Sequence, residues 1–376
     1  MIFKPNRQNK MTIDSKIFNT EKSDYSAPSL FMGQQLGLLD TINKSYPEIF
    51  KLYKKQKSLD WDETEFDFTA CNTEFKTCSK NTYEIMIRTL SWQWEADSVA
   101  CKSIIPIIAP FVTSTELWVA WLRVADSEST HSLTYSEMVR NSFDDPDKVL
   151  KEILEVSEAL QRMDVVAETF SKVYDTSLAL ATGKIEKDQK AYEDIYMFVV
   201  AMYCLERIQF VASFAVTFAV ANGGQFVQFG KAVQKICQEE FEVHQLLDRA
   251  ILDYESKTQH GRLARINNKE RIKKLVLSVI QSEINWVEYL LSDGRELVGM
   301  TKELLKAWVL YNAKDVLEYF EIEHSYEIPA KNPIPFIEDW IDINRIQASP
   351  QEEKNGQYML GMVMDDLVDD VIEMEL

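Results

Sequence analysis

The sequence predicts an all-α fold, a bundle of long helices joined by few turns. The 376-residue chain contains only 11 Gly and 10 Pro, whereas 46% of its residues are hydrophobic. So few turn-forming residues are unusual for a protein of many short strands. Apolar residues also recur at spacings of three and four over long stretches, which is typical of helices with one buried face. The chain has ample length to bury a large core in one or two domains.

Composition also limits the classes of function. The formal net charge of -19 argues against binding of nucleic acid, because contacts to phosphates require clustered Lys and Arg. The five Cys are an odd number without a Cys-x-x-Cys motif, so they suggest neither a disulfide framework nor a zinc knuckle. The N-terminus lacks the apolar core of a secretory signal, and we expect a cytoplasmic protein.

The first 80 residues are polar and loosely helical. We expect them to pack on the bundle as an N-terminal extension. Trp61 lies between Asp60 and Asp62 in this stretch. The local sequence indicates no function for Trp61, because an isolated Trp is usually a packing residue.

The first long helix should begin at a capping box, Asn81-x-x-Glu84, and run to about Ile105. Pro106 is expected to end it, since proline removes a backbone donor and clashes with the preceding turn. Asp97 interrupts the apolar stripe of this helix. A carboxylate at a core position needs a partner, and Asp97 is therefore a candidate functional residue.

The second long helix should begin at another capping box, Thr113-x-x-Glu116, and end near residue 141. Glu128, His131 and Tyr135 stand in it at positions i, i+3 and i+7. A carboxylate, an imidazole and a phenol therefore project from one face. This face is either an ordinary solvated surface or, if it is buried, part of a metal site.

Further helices are expected downstream. Asp145-Pro146 is an N-cap followed by Pro at the first helical position, and it opens helical sequence that reaches Gly183. Other predicted helices span residues 226–254, 269–291 and 302–320. Regular structure should end at Asn332-Pro-Ile-Pro335, and the acidic final segment is expected to be a flexible tail.

One strongly apolar helix is predicted over residues 188–221. Its segment Ile195–Ala221 is long enough to cross a membrane. Glu206 and Arg207 lie at its centre, however, where each charge would cost about 2.5–3.5 kcal/mol in a bilayer. We therefore expect a buried helix of a soluble bundle, and a membrane span is the less favoured alternative.

Acids and imidazoles thus occupy core positions of four helices. The set consists of Asp97, Glu128, His131, Glu206, Glu240 and His244. Dinuclear carboxylate sites in bundles use one carboxylate from each of two helices and a Glu/His pair from each of the other two. Four carboxylates neutralise two divalent ions, and oxygen ligands with two imidazoles suit iron or manganese. The alternative is a network of buried ion pairs, for which few matching Lys or Arg are present.

Tyr135 follows His131 by about one helical turn, close to the predicted metal site. Phe210 and Phe214 follow Glu206 by one and two turns. Such apolar rings could shield the phenol from water, which a one-electron-oxidised tyrosine requires. The alternative is a packed, redox-silent tyrosine.

From about Phe31 onward the chain resembles the beta, radical-generating subunit of class I ribonucleotide reductases. The resemblance rests on several features taken together: Asp97; Glu128-x-x-His131-x-x-x-Tyr135 followed by Val-Arg-Asn141; Leu205-Glu206-Arg-Ile-Gln-Phe210; Glu240 with His244; Asn332-Pro-Ile-Pro335; and Pro350-Gln-Glu ahead of Tyr358.

The resemblance implies a ferritin-like helical fold, a homodimer, and a di-iron centre, or a di-manganese centre in some subclasses, that uses oxygen to form a tyrosyl radical. The radical is passed to an alpha subunit that reduces ribonucleotides. By position, the six acids and imidazoles would be metal ligands and Tyr135 the radical site. Trp61 and Tyr358 would be relays, and the C-terminus would dock on the alpha subunit. The expected organisation is an extension (1–80), a ferritin-like domain (81–345) and a tail (346–376).

The chain departs from the family pattern around the last ligands. Glu240 and His244 are separated by one residue more than is usual, and a one-residue π-bulge would absorb the difference. Glu240 is preferred to Glu242, which would point to the opposite side. Glu239 stands where the family has the Asp that links a His ligand to the relay Trp, and Gln238 stands where Arg is common.

Other classes of function remain open from the sequence. A ferritin-like oxidase or desaturase would use the same metals directly on a small substrate, and it would need a substrate channel but no acidic tail. An iron-storage protein would hold many ions per chain and no organic radical, and a metal-free scaffold would hold none. The ligand set suits both iron and manganese.

Overall fold

The computed structural model describes residues 28–34 and 38–343. Two isolated bridges, Phe31 with Val112 and Leu297 with Met300, are the only β pairings in these residues. The α-helices are α1 (Pro47–Ser58), α2 (Thr69–Thr77), α3 (Lys80–Ile108), α4 (Thr115–Ser142), α5 (Pro146–Leu154), α6 (Ser157–Ala181), α7 (Gln189–Cys204), α8 (Val211–Asn222), α9 (Val227–Glu239), α10 (Gln245–Glu255), α11 (Gln259–Asn267), α12 (Lys269–Leu290), α13 (Lys302–Tyr319) and α14 (Ile337–Ile341). A short 3-10 helix covers Glu63–Glu65. The all-α fold is confirmed.

Two π turns interrupt the central helices: π1 (Leu205–Gln209) and π2 (Glu240–His244). Through π1, the helices α7 and α8 form one continuous rod, and π2 joins α9 to α10 in the same way. These rods and the long helices α3 and α4 form the core, with α3 packed along α4, α8 against α9, and π1 against π2. Around them, α1 and α2 pack on α4, while α6 packs on α3, α7 and α12.

The rod Gln189–Asn222 is long and apolar enough to cross a membrane by length and composition. Yet 94% of its most apolar window is buried inside the protein. It is the only such helix among the described residues. The expectation of a buried core helix is confirmed, because neighbouring helices cover its apolar surface.

The starts of the two long helices differ from the prediction. Ser79 caps α3, where its Oγ accepts a hydrogen bond from the backbone N–H of Thr82 at 3.0 Å. Ser114 caps α4 in the same manner. The predicted capping boxes at Asn81 and Thr113 are therefore wrong. In each case a nearby serine supplies the hydroxyl that the first free N–H groups require.

The predicted break at Pro106 is also wrong, because α3 continues through this residue to Ile108. A proline in the last turn removes only one intrahelical hydrogen bond. Ile104 and Ile107 on either side are fully buried, and the carbonyl of Pro106 accepts a hydrogen bond from the Ser177 hydroxyl at 2.7 Å. Tertiary packing thus outweighs the local preference.

Candidate metal centre

The six candidate ligands meet at the centre of the bundle. They are supplied by α3 (Asp97), α4 (Glu128 and His131), π1 (Glu206) and π2 (Glu240 and His244). All six are buried. Within each of two overlapping groups the ligand atoms lie within 4.8 Å of one another: Asp97, Glu128 and His131 form one, and Glu128, Glu206, Glu240 and His244 form the other. Glu128 belongs to both groups, so the arrangement offers two adjacent ion positions.

The extra residue between Glu240 and His244 is absorbed by π2, as the sequence predicts. A π turn accommodates one additional residue while the helix continues. It brings Nδ1 of His244 to 2.9 Å from Oε2 of Glu240. Glu242 instead forms an ion pair with Lys55 of α1. Glu242 thus points away from the centre, and Glu240 faces it.

The first π turn was not predicted. Glu206 lies within π1 and is fully buried. The residues of π1 carry no sequence signal for a π turn, because they are ordinary helix-forming residues. The position of Glu206 therefore depends on packing around π1, which only the tertiary structure reveals.

The atoms that face the centre have no hydrogen-bond partners in the protein. Both oxygens of each of the four carboxylates, and Nδ1 of both imidazoles, are buried and unpaired. Such atoms each cost about 1–3 kcal/mol when left unsatisfied. Nδ1 of His244 nevertheless lies close to two of the carboxylates, 2.9 Å from Glu240 and 3.2 Å from Glu128. Oxygen ligands with two imidazole nitrogens, clustered in this way, fit a pair of iron or manganese ions.

The outer nitrogen of each imidazole does have a partner. Nε2 of His131 lies 2.7 Å from Oε2 of Glu239, and Nε2 of His244 lies 3.1 Å from Oγ of Ser127. A metal-binding histidine commonly uses its second nitrogen for a hydrogen bond of this kind, which fixes the ring orientation. Sequence reasoning missed Ser127, because nothing in its local sequence distinguishes it from other helical serines.

The four carboxyl groups differ in their pKa values because their neighbours differ. Burial, together with repulsion by neighbouring carboxylates, raises the pKa of Asp97, Glu206 and Glu240 well above the usual values. Burial acts on Glu128 in the same direction, but contacts with the two histidines overcome it and lower the pKa of Glu128 to about 2. The pKa of each histidine is raised despite burial, because Glu128 lies beside both rings.

Trp61 belongs to this cluster and is not an isolated packing residue. Its indole Nε1 donates to Oε2 of Glu239 at 3.0 Å, the same oxygen that approaches His131. The Trp61 ring also stacks on the imidazole of His131, with centroids 6.2 Å apart. Gln56 of α1, which sequence reasoning missed, donates to the other oxygen of Glu239 at 2.6 Å. Glu239 thus connects the indole of Trp61 to the imidazole of His131.

Tyr135 is fully buried, and its hydroxyl has no hydrogen-bond partner. Burial, and then the charges of nearby carboxylates such as Asp97, raises the pKa of the phenol well above its usual value. Phe210 and Phe214 are also buried and stack on each other with centroids 5.7 Å apart. The predicted relay residue Tyr358 and the predicted tail lie outside the described residues.

The fold and the cluster together define a class of protein: helical bundles with a dinuclear carboxylate site between four central helices. A family model described as ribonucleotide reductase, small chain, matches residues 40–333. The chain belongs to this family, and it is therefore a small subunit of an oxidoreductase. The family resemblance inferred from the sequence is confirmed.

Relatives of known name cover nearly the whole chain. The ribonucleoside-diphosphate reductase 1 subunit beta of Escherichia coli O157:H7 is 26% identical, over 92% of this chain and 95% of that protein. The ribonucleoside-diphosphate reductase subunit beta of Enterobacteria phage T4 is 22% identical, over 95% of this chain and 98% of that protein.

Two solved structures share the fold. The ribonucleotide reductase R2 subunit from Clostridium botulinum has a TM-score of 0.74 at 18% identity, over 88% of this chain and 99% of that one. The dimanganese(II)-NrdF of Streptococcus sanguinis has a TM-score of 0.65 at 14% identity, over 82% of this chain and 100% of that one. The ferritin-like architecture expected from the resemblance is thereby confirmed.

Proposed function

We propose that this chain acts as the radical-generating beta subunit of a ribonucleoside-diphosphate reductase. Two iron or manganese ions would be held by the six ligands of the candidate centre. When bound, such a pair supplies the redox chemistry that oxidises a phenol at the expense of dioxygen. The observation that carries the proposal is the set of buried, unpaired ligand atoms in two groups that share Glu128.

In this proposal Tyr135 is the radical site. Its raised pKa means that the phenol keeps its proton at neutral pH in the resting state. Its complete burial excludes water and external reductants. Phe210 and Phe214 would contribute apolar walls on the side of the rod that carries Glu206. A phenoxyl radical requires this kind of exclusion to persist.

The radical would leave along a path that starts at the hydrogen-bonded series of Trp61, Glu239 and His131. Glu239 holds the indole N–H and the outer imidazole nitrogen with one carboxylate oxygen, so proton and electron movements at the two rings can be coupled. Gln56 fixes the second oxygen and thereby the carboxylate plane. The Glu in place of the family's Asp still reaches both rings, at 3.0 and 2.7 Å.

The finer organisation is also proposed from the family. We infer a cytoplasmic homodimer with an N-terminal extension (1–80), a ferritin-like domain (81–345) and a tail (346–376). Tyr358 would be a relay in that tail, and the acidic C-terminus would bind the alpha subunit that reduces the ribonucleotides to deoxyribonucleotides. A relative in Streptococcus sanguinis is a dimanganese(II) protein, so manganese is tested beside iron.

Electron paramagnetic resonance with metal analysis tests the centre. Metal-free protein is given ferrous iron and oxygen, and in parallel manganese, beside Tyr135→Phe and the control Tyr192→Phe. Tyr192 is buried and its hydroxyl is also unpaired, but it lies at the start of α7. We expect two ions per chain and a tyrosyl signal that only Tyr135→Phe abolishes. Absence of bound metal in the wild type would overturn the proposal.

Deletion of residues 360–376 tests the role of the tail. We expect this variant to bind metal and form the radical normally, and to lose ribonucleotide reduction only in the assay with the alpha subunit. An oxidase that acts directly on a small substrate would keep its activity after the deletion. Unchanged reduction with the alpha subunit would contradict the docking role.

A further inference from the structure

A second buried charged cluster lies beside the candidate metal centre. Arg162 of α6 and Glu283 of α12 form a buried ion pair in which the guanidinium donates to both carboxylate oxygens. The guanidinium also lies over two indole rings, 4.0 Å from the centroid of Trp92 and 4.7 Å from that of Trp286. Desolvated cation–π contacts and a bidentate ion pair hold this guanidinium in one orientation.

The same guanidinium is attached to π1. It donates to the backbone carbonyl of Gln209, the last residue of π1, and to Oγ of Ser213 at 3.2 Å. In return, the side-chain amide of Gln209 donates to the backbone carbonyl of Arg162 at 2.9 Å. The end of π1 is therefore joined to α6 through both its main chain and its side chain. We call these contacts the Arg162 clamp.

The Arg162 clamp affects the orientation of one candidate ligand, Glu206. Glu206 lies three residues before Gln209 in the same π turn. If π1 reverted to a regular α-helix, the residues on one side of it would rotate by about 100° relative to those on the other. Glu206 contributes to one of the two ligand groups, with Glu128, Glu240 and His244, and is absent from the group formed by Asp97, Glu128 and His131.

We propose that Arg162 is a positioning residue that holds π1 in its widened form, so that Glu206 completes the second of the two ion positions. The inference rests on the proposed dinuclear centre. It predicts a selective defect: loss of the clamp weakens the position that includes Glu206 and spares the position formed by Asp97, Glu128 and His131.

The test is a manganese(II) titration followed by electron paramagnetic resonance. The variant is the double substitution Arg162→Met with Glu283→Leu, because replacing both members of a buried ion pair avoids an uncompensated charge. The matched control is Arg295→Met. Arg295 is also buried and donates to the backbone carbonyls of Leu290 and Tyr289, but it contacts neither π turn.

We expect wild type and Arg295→Met to bind two ions per chain and to show the signal of a coupled pair. The double variant should bind one ion with unchanged affinity and give the signal of an isolated ion, with the second ion bound about 10–100-fold more weakly. Thermal unfolding in the same samples reports whether each variant is folded.

The possible failures are distinguishable. If the wild type does not bind a pair, the proposed function is wrong. If the wild type binds a pair and the folded double variant binds it equally well, the clamp has no positioning role. Should the double variant not fold, Gln209→Leu removes only the side-chain contact to α6. It should then weaken the second ion by a smaller factor, and unchanged binding would overturn the inference.

Discussion

Two buried charged clusters lie side by side in this bundle. The polar atoms of one are hydrogen-bonded within the protein, and those at the centre of the other are not. In the Arg162 clamp, the guanidinium contacts Glu283, Gln209 and Ser213, and both oxygens of Glu283 accept from it. In the candidate metal centre, both oxygens of all four carboxylates lack a partner. Burial alone therefore does not mark a functional site. The unpaired cluster offers free oxygen and nitrogen atoms to an external cation, whereas the polar atoms of the paired one already have partners.

The two π turns of the candidate metal centre are held in place by contacts outside it. The atoms that face the centre make no hydrogen bonds within the protein, so contacts farther out must set their positions. On one side, α1 holds the end of α9 through Gln56 with Glu239, and it holds π2 through Lys55 with Glu242. On the other side, the Arg162 clamp holds π1. Each π turn thus has its own external support, and the atoms of the candidate ligands that face the centre stay available to a metal ion.

The largest expected effect concerns the residue that both ligand groups share. Glu128→Gln should abolish binding of the pair, since loss of outer-shell partners alone costs about 10–100-fold in affinity and Glu128 contributes to both positions. Elemental analysis of the desalted protein measures ions per chain. Glu95→Gln, a half-buried glutamate of α3 that belongs to neither group, is the control. Two ions retained by Glu128→Gln would show that the groups do not share this ligand.

The next effect concerns the paired cluster. Glu283→Gln should lower the free energy of unfolding by about 3–5 kcal/mol, because it leaves the buried charge of Arg162 uncompensated. Urea unfolding of the metal-free protein measures the change. Glu288→Gln is the control from the same helix, since Glu288 pairs with Lys302 and Lys306 at the surface, and we expect little change from it. Equal stability of Glu283→Gln and wild type would mean that the clamp tolerates an unpaired guanidinium.

The unpaired cluster should respond in the opposite direction. Glu206→Leu removes a buried acid that lacks hydrogen-bond partners. The metal-free variant should be more stable than the wild type by about 1–3 kcal/mol, the cost of an unsatisfied buried polar group. The same variant should lose the second ion. A destabilised metal-free variant in urea unfolding would argue that Glu206 makes favourable contacts even without metal.

The remaining effect is the pH dependence of the metal-free protein. Burial, together with repulsion between neighbouring carboxylates, raises the folded-state pKa values of Asp97, Glu206 and Glu240. The folded state therefore holds these protons more tightly than the unfolded state. The contribution of these three groups should be fully present below the ordinary carboxyl pKa of about 4.3, and it should be lost as pH rises towards their raised pKa values.

Thermal unfolding at pH 5, 6 and 7.5 measures this dependence. Metal binding replaces the protons of the ligand carboxyls, so their contribution to this pH dependence should be absent from the metal-loaded protein. A metal-free protein that becomes more stable between pH 5 and 7.5 would contradict the predicted sign.

Much of the fold follows from local rules. The helix that starts at Asp145-Pro146 begins as predicted, with Oδ1 of Asp145 accepting from the backbone N–H of Lys148 at 3.2 Å. Helices α12 and α13 match the predicted ranges to within one residue. The exceptions occur where contacts between residues far apart in the chain determine the local structure. The continuation of α3 through Pro106 is one case, and the short helices α1, α2 and α11 are others, because they owe their order to packing on larger neighbours.

The sequence by itself indicated the helical class and the six candidate ligands, because helical periodicity and ligand spacing are local properties of the chain. The π turn at Glu240 was expected only from the departure from the family pattern. Only the tertiary structure decided that Glu206 sits in a second π turn, that Gln56 and Ser127 complete the hydrogen bonding outside the ligands, and that the Arg162 clamp exists. These features join residues far apart in the chain. Their geometry depends on how helices pack against each other, and the pattern within any one helix does not encode it.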